Sequence, residues 1–141
     1  MHNISVYFEL QTGALVPVGW KKSSGNLIWD VNMDFTQKSS WVKDGHRTHD
    51  PKYSNYVGVV SRSSVRIALN YSALNEVDMT AAEIQSAYLQ APSSENHYVI
   101  CEKYFGLEHE GNIALIRRAL YGGKFAGRDF CTHLISCMNF L

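Results

Sequence analysis

No run of apolar residues here approaches the roughly 20 needed to cross a bilayer, so no membrane-spanning helix and no membrane partner are expected. The first residues, Met1-His-Asn-Ile-Ser-Val-Tyr7, lack a basic stretch followed by an apolar one, so no secretory leader is expected either. Cysteine is sparse: Cys101, Cys131 and Cys137 are odd in number and show no framework spacing, which favours a reduced, intracellular, cytoplasmic setting. Internal repeats and low-complexity stretches are missing, so solenoids and linkers are not expected. The chain also lacks net charge. What remains is 141 residues, 45% apolar and 18% charged, enough for one domain with a modest core.

The zero net charge hides an asymmetry. Residues 1–75 hold eight Lys/Arg against five acids, and residues 76–141 hold five against eight, so a +3 half precedes a −3 half. A basic half beside an acidic one suits a phosphate-holding part next to a metal-holding part, although scatter explains a difference of this size equally well.

Leu27, Trp29, Val31, Met33 and Phe35 alternate with Ile28, Asp30, Asn32 and Asp34, which predicts a strand with Trp29 on its core face. Thr36-Gln-Lys38 breaks it, Ser40-Trp-Val42 returns, and Asp44-Gly45 turns, giving a β-hairpin with basic residues near its tip. Residues 46–56 read as loop. Ser61 or Ser63 can cap a helix reaching about Asn75, with Val65, Ala68, Leu69 and Ser72 on one face. A strand is expected over 77–83, with Val77, Met79, Ala81 and Glu83 on one face. Further strands are expected at 98–101 and 113–116, and a helix after Lys124 carrying Phe130, Leu134 and Met138 at helical spacing. That apolar face is still open at Asn139-Phe-Leu141, which reads as truncation.

Two segments carry candidate chemistry. In Ala82-Glu-Ile-Gln-Ser-Ala-Tyr-Leu-Gln-Ala-Pro92 a carboxylate, Glu83, ends the expected strand, followed by small residues with open N–H groups and by Tyr88. In Leu120-Tyr-Gly-Gly-Lys-Phe-Ala-Gly-Arg128 a Gly/Lys turn precedes the helix. A carboxylate can hold Mg²⁺, backbone donors and Lys can hold phosphate, and an aromatic can pack on a sugar. Each residue also has an ordinary reading: Glu83 as a solvated strand end, Tyr88 and Leu89 as core, Gly122-Gly123 as a plain turn, Lys124 as a solvated side chain. His46-x-x-His49 and Cys131-x-His133-x-x-x-Cys137 lack paired ligand sets at zinc-finger spacing, so structural or incidental roles are expected for them. Arg117-Arg118 reads as a solvated pair. Trp20, Trp29 and Trp41 could stack on bases.

In order along residues 17–141, Asp30-Val-Asn-Met-Asp-Phe35, Val59-Val-Ser-Arg-Ser-Ser-Val-Arg66, Asp78-Met-Thr-Ala-Ala-Glu-Ile-Gln-Ser-Ala-Tyr-Leu-Gln-Ala-Pro92 and Ala119-Leu-Tyr-Gly-Gly-Lys124 resemble the reverse transcriptase domain of copia-type retrotransposon polyproteins. The resemblance implies an α+β fold, the fingers and an incomplete palm of a right-hand polymerase. Residues 1–16 would be an N-terminal extension, 17–75 the fingers-like region, and 76–141 a palm that stops before the family's Asp-Asp hairpin. It implies RNA-directed DNA polymerisation, with two Mg²⁺ held by carboxylates. The implied partners are an RNA template, a DNA primer, deoxynucleoside triphosphates and the rest of the palm, thumb and RNase H of the polyprotein.

By resemblance Glu83 stands at the first metal ligand, as the catalytic carboxylate. The N–H groups of Ser86 and Ala87 face the triphosphate, and Tyr88 is the gate against a ribose 2′-hydroxyl. Tyr121 and Gly122 lie beside the incoming nucleotide with Lys124 nearby, and Lys38 approaches the phosphates from the hairpin.

The departures point to a partial or decayed copy. Glu83 replaces Asp, and a shift of roughly 1 Å can cost on the order of 100-fold in rate. Ser40 replaces an Arg, Lys43-Asp44 replaces small or basic residues, and Gly123, Phe125 and Gly127 replace Leu, Gln and Pro. The expectation is therefore a polymerase fragment inactive by itself. The alternatives are a non-catalytic nucleic-acid-binding remnant that works through its basic half, or an unfolded product.

Overall fold

The computed structural model describes residues 7–11, 15–48 and 54–140. The fold is α+β. A four-stranded sheet has the order β1-β6-β5-β2, built from β1 (Phe8–Gln11), β2 (Lys21–Lys22), β5 (His97–Ile100) and β6 (Ile113–Ile116). β6 pairs antiparallel with both β1 (Phe8 opposite Ile116) and β5 (Tyr98 opposite Leu115), while β2 joins β5 in parallel. All four β6 residues, Ile-Ala-Leu-Ile, are buried, as a strand with sheet neighbours on both edges and cover on both faces requires. The main core gathers Phe8, Val99, Cys101, Phe105, Ala114, Ile116 and Leu120. β1 belongs to the segment that precedes the resemblance, yet it supplies Phe8 to this core. Its Glu9 takes a two-pronged ion pair from Arg117, whose guanidinium also lies 5.1 Å from the Trp20 ring centroid. Arg118 donates to the Gln90 carbonyl. The Arg pair is therefore engaged with protein groups rather than merely solvated.

The expected hairpin forms from β3 (Gly25–Val31) and β4 (Gln37–Lys43), in antiparallel register with Leu27 opposite Trp41 and Asp30 opposite Lys38. Its strand is shorter than the alternation implies. Asn32 and Thr36 close the turn, with Phe35 at φ 62°. Met33 and Phe35 thus sit in the turn rather than in the strand. One face carries Leu27, Trp29, Trp41 and Lys43, and only its base reaches the body. Trp41 packs edge-on to Phe8, with ring centroids 5.6 Å apart. Trp29, nearer the tip, is 70% exposed, so the core position expected for it is not realised. A two-stranded ribbon buries only the part that touches something else.

α1 (Arg62–Leu74) begins where the capping signal lies: the Ser61 hydroxyl accepts the Ser64 N–H at 3.0 Å. At its other end the Asn75 amide side chain and backbone N–H both reach the Tyr71 carbonyl, and the Ser72 hydroxyl donates to the Val77 carbonyl. Of the face expected to be buried, Ser72 alone is covered among the described residues; Val65 and Leu69 are exposed. Since caps rather than packing hold this helix, Ser61→Ala should cost it about 1 kcal/mol. That would appear as roughly fivefold faster amide exchange across 62–74, and unchanged exchange would show that the cap is idle.

Residues 76–84 are the clearest departure. The strand expected over 77–83 does not form: the segment is irregular, unpaired and exposed among the described residues. Alternation marks a chain able to pair, but a strand exists only where another strand offers its N–H and C=O groups. After this segment come α2 (Ala87–Gln90) and α3 (Ala126–Met138). Among the described residues no helix is long and apolar enough to cross a membrane.

Candidate functional site

The two candidate segments meet. Ala91 is fully buried, and its carbonyl accepts the Ala119 N–H at 3.0 Å; Pro92 and Arg118 form an isolated bridge. This stitching lays α2 beside the 119–126 turn and the start of α3, where Ala91, Ala119 and Ala126 form a small second core. Three alanines let the backbones come close, and the larger rings close over them. Tyr88 stands 5.4 Å from Tyr121 and 6.0 Å from Phe130, ring centroid to centroid. Tyr88 is half-buried, while Tyr121 is exposed at the rim.

Ser86 enters α2 in the left-handed conformation (φ 50°) and accepts the Leu89 N–H. Ser86 and Ala87 therefore stand at the head of a single turn, half-buried. Four residues make too short a helix to hold an anion by its dipole alone.

On the other side, Gly122 is at φ 82°, and a Cβ there would collide with the Lys43 carbonyl. The Tyr121 carbonyl accepts the Lys43 N–H at 2.8 Å, so the end of β4 is bonded directly to the Gly122 turn. Lys124 donates from Nζ to the Thr48 carbonyl at 2.7 Å, and its own carbonyl accepts from Asn55. It is neither a plainly solvated lysine nor one directed solely at a ligand.

Of the residues named from sequence, the structure thus gathers Ser86, Ala87, Tyr88, Tyr121 and Gly122, with Lys124 tied to the adjoining loop. Glu83 lies exposed in the irregular segment, three residues before Ser86. Lys38 sits exposed on β4 opposite Asp30, in the separate two-stranded sheet. His49, half of the His-x-x-His pattern, lies outside the described residues. Among those residues no group of three His, Cys, Asp or Glu side chains converges as a metal site. Glu83 offers one carboxylate, whereas Mg²⁺ wants octahedral oxygen donors.

Next to this cluster lies one that sequence reasoning missed. Lys43, buried at the base of the hairpin, donates from Nζ to Glu95 Oε2 at 2.6 Å and to His97 Nδ1 at 2.8 Å. His97 is buried as well, and its Nδ1 is 3.7 Å from Glu95 Oε2, too far for a hydrogen bond. Burial pushes the Glu95 carboxyl up. The His97 and Lys43 side chains more than offset that and bring it down to about 2. The distances give Lys43 the larger share. A signal existed in the sequence: Lys43 shares the Leu27/Trp41 face of an alternating strand, and a cation on a core-facing position needs an acceptor.

No protein-family model matches the chain, and no solved structure matches it at a significant level.

Proposed function

We propose that this chain is the fingers and partial palm of a copia-type RNA-directed DNA polymerase, working inside the cell. RNA template, DNA primer and the remaining palm, thumb and RNase H would complete it. By itself it would be a nucleotide-docking fragment without polymerase activity. The observation that carries the reading is the approach of Tyr88 to Tyr121, because it unites the two motifs on which the resemblance rests, 33 positions apart. In this reading Tyr88 presents its ring to the sugar, the Tyr121–Gly122 turn lies along the base, and Ser86 and Ala87 N–H groups meet phosphate oxygens. Mg²⁺ enters as the counter-ion a triphosphate brings with it, with Glu83 reaching it from the adjoining irregular segment.

The test is a titration of the labelled chain with a Mg²⁺–deoxynucleoside triphosphate, followed by amide chemical shifts. Shifts are expected at Ser86, Tyr88, Tyr121 and Gly122, with Glu83→Gln weakening binding roughly 10-fold, and primer extension should be nil. Unmoved signals at these positions, or Mg²⁺-dependent incorporation by the chain alone, would sink the proposal. If an RNA–DNA hybrid instead shifts Trp29 and Lys38 in a salt-sensitive, Mg²⁺-independent way, the non-catalytic nucleic-acid-binding reading replaces it.

A further inference from the structure

The last turns of α3 hold a second, unrelated pair of donors. His133 and Cys137 are four residues apart, one above the other on the helix surface. Cys137 Sγ lies 3.8 Å from His133 Nε2; the thiol is exposed and the imidazole half-buried. This spacing is close to the bite of a tetrahedral cation. Zinc–sulfur and zinc–imidazole bonds of about 2.3 and about 2.0 Å, at a tetrahedral angle, put the two donor atoms about 3.5 Å apart. Very little side-chain movement separates the observed contact from chelation.

Two features of the surroundings favour a cation. The pair lies in the C-terminal half of the helix, with Cys137 in the last turn, at the negative end of the helix dipole. No basic residue occupies that turn. One turn earlier, Asp129 is not available as a third donor: it is buried, accepts the Ser94 N–H at 2.9 Å and faces Arg128. Cys101 is buried in the main core. Cys131, six residues before Cys137, is turned well away from it around the helix.

We propose that His133 and Cys137 form a two-donor site for a borderline-soft divalent cation of the zinc type, one per chain, whose remaining positions are open to water or an incoming donor. Binding displaces the thiol proton to solvent, leaves the thiolate and the neutral Nε2 lone pair as ligands, and changes no oxidation state. The cation would clamp the final turn of α3. Nothing in this proposal depends on the polymerase reading.

Cobalt(II) is the probe, because a cobalt–thiolate bond gives a near-ultraviolet charge-transfer band. Titration of the intact chain should saturate near one cobalt per chain and show that band. Zinc(II) should bleach it and raise the melting temperature. Cys137→Ser should abolish the band, His133→Gln should weaken binding by roughly tenfold or more, and Cys131→Ser should leave both unchanged. Far-ultraviolet circular dichroism of each variant confirms that α3 is intact, as expected for changes at its less buried end. Absence of the band in the intact chain, its survival in Cys137→Ser, or equal affinity in His133→Gln would reduce the pair to a thiol–imidazole contact and overturn the proposal.

Discussion

Lys43→Ala should lower unfolding stability by about 3 kcal/mol or more, read as a fall in the urea midpoint at unchanged slope. The cost is not the loss of one hydrogen bond. Lys43 Nζ is shared between Glu95 at 2.6 Å and His97 at 2.8 Å, and both acceptors sit in a largely buried site. Removing the ammonium strands a carboxylate and an imidazole lone pair away from water. The apolar double replacement Lys43→Met with Glu95→Gln should recover much of the loss, because it withdraws both charges together. A Lys43→Ala variant within about 0.5 kcal/mol of the parent would mean that the cluster is open to solvent.

The same cluster fixes a pH dependence. Glu95 titrates near 2 in the folded chain, against 4.5 for the unperturbed group. The unfolded chain therefore binds the proton more readily. The Glu95 contribution is fully present above about pH 4.5 and is lost as pH falls through about 2. With a discount for solvent screening at the carboxylate's open edge, the swing is on the order of 2 kcal/mol. Glu95→Gln should flatten the acid limb of the stability–pH curve by that amount. An acid limb identical to the parent's would assign the acid sensitivity to other carboxylates.

What could be read from the sequence follows how local each cause is. The capped helix α1 was legible because Ser61 and the Ser64 N–H are neighbours in the chain. The β3–β4 hairpin was legible because alternation and its turn lie within twenty residues. β5, β6 and α3 carry their own periodicity, and the structure has them within a residue or two of the expected bounds. β1 and β2 were not legible: at four and two residues, their pairing is decided by β6 and β5, about a hundred and about seventy-five positions away. The same dependence works in reverse at 77–83, where a strand-like pattern stays irregular because no described strand pairs with it. Trp29 shows that a period of two fixes which side chains share a face, and leaves open whether anything covers that face. The Tyr88–Tyr121 meeting was expected only through the resemblance. The Lys43–Glu95–His97 cluster was not legible as a cluster, since Lys43 is about fifty residues from Glu95 and His97.

Gly122→Ala should cost about 3 kcal/mol or more. Two separate penalties act there. The φ of 82° already disfavours any L side chain, at about 1 kcal/mol or more. In addition, the new Cβ would overlap the Lys43 carbonyl and crowd Val42 Cγ1 at 2.8 Å, and a backbone oxygen has no rotamer by which to move aside. β4 would have to retreat, breaking the Lys43 N–H bond to the Tyr121 carbonyl and shifting Tyr121 away from Tyr88. The molecule supplies its own control. Gly111 has the same φ of 82°, but a Cβ there would meet nothing within 4 Å, so Gly111→Ala carries the backbone strain alone. The difference in urea midpoint between the two variants therefore isolates the close approach of β4 to the Tyr121–Gly122 turn. Equal losses in both would mean that β4 and this turn do not touch, and the cluster around Tyr88 would then lack the support that holds it against the hairpin.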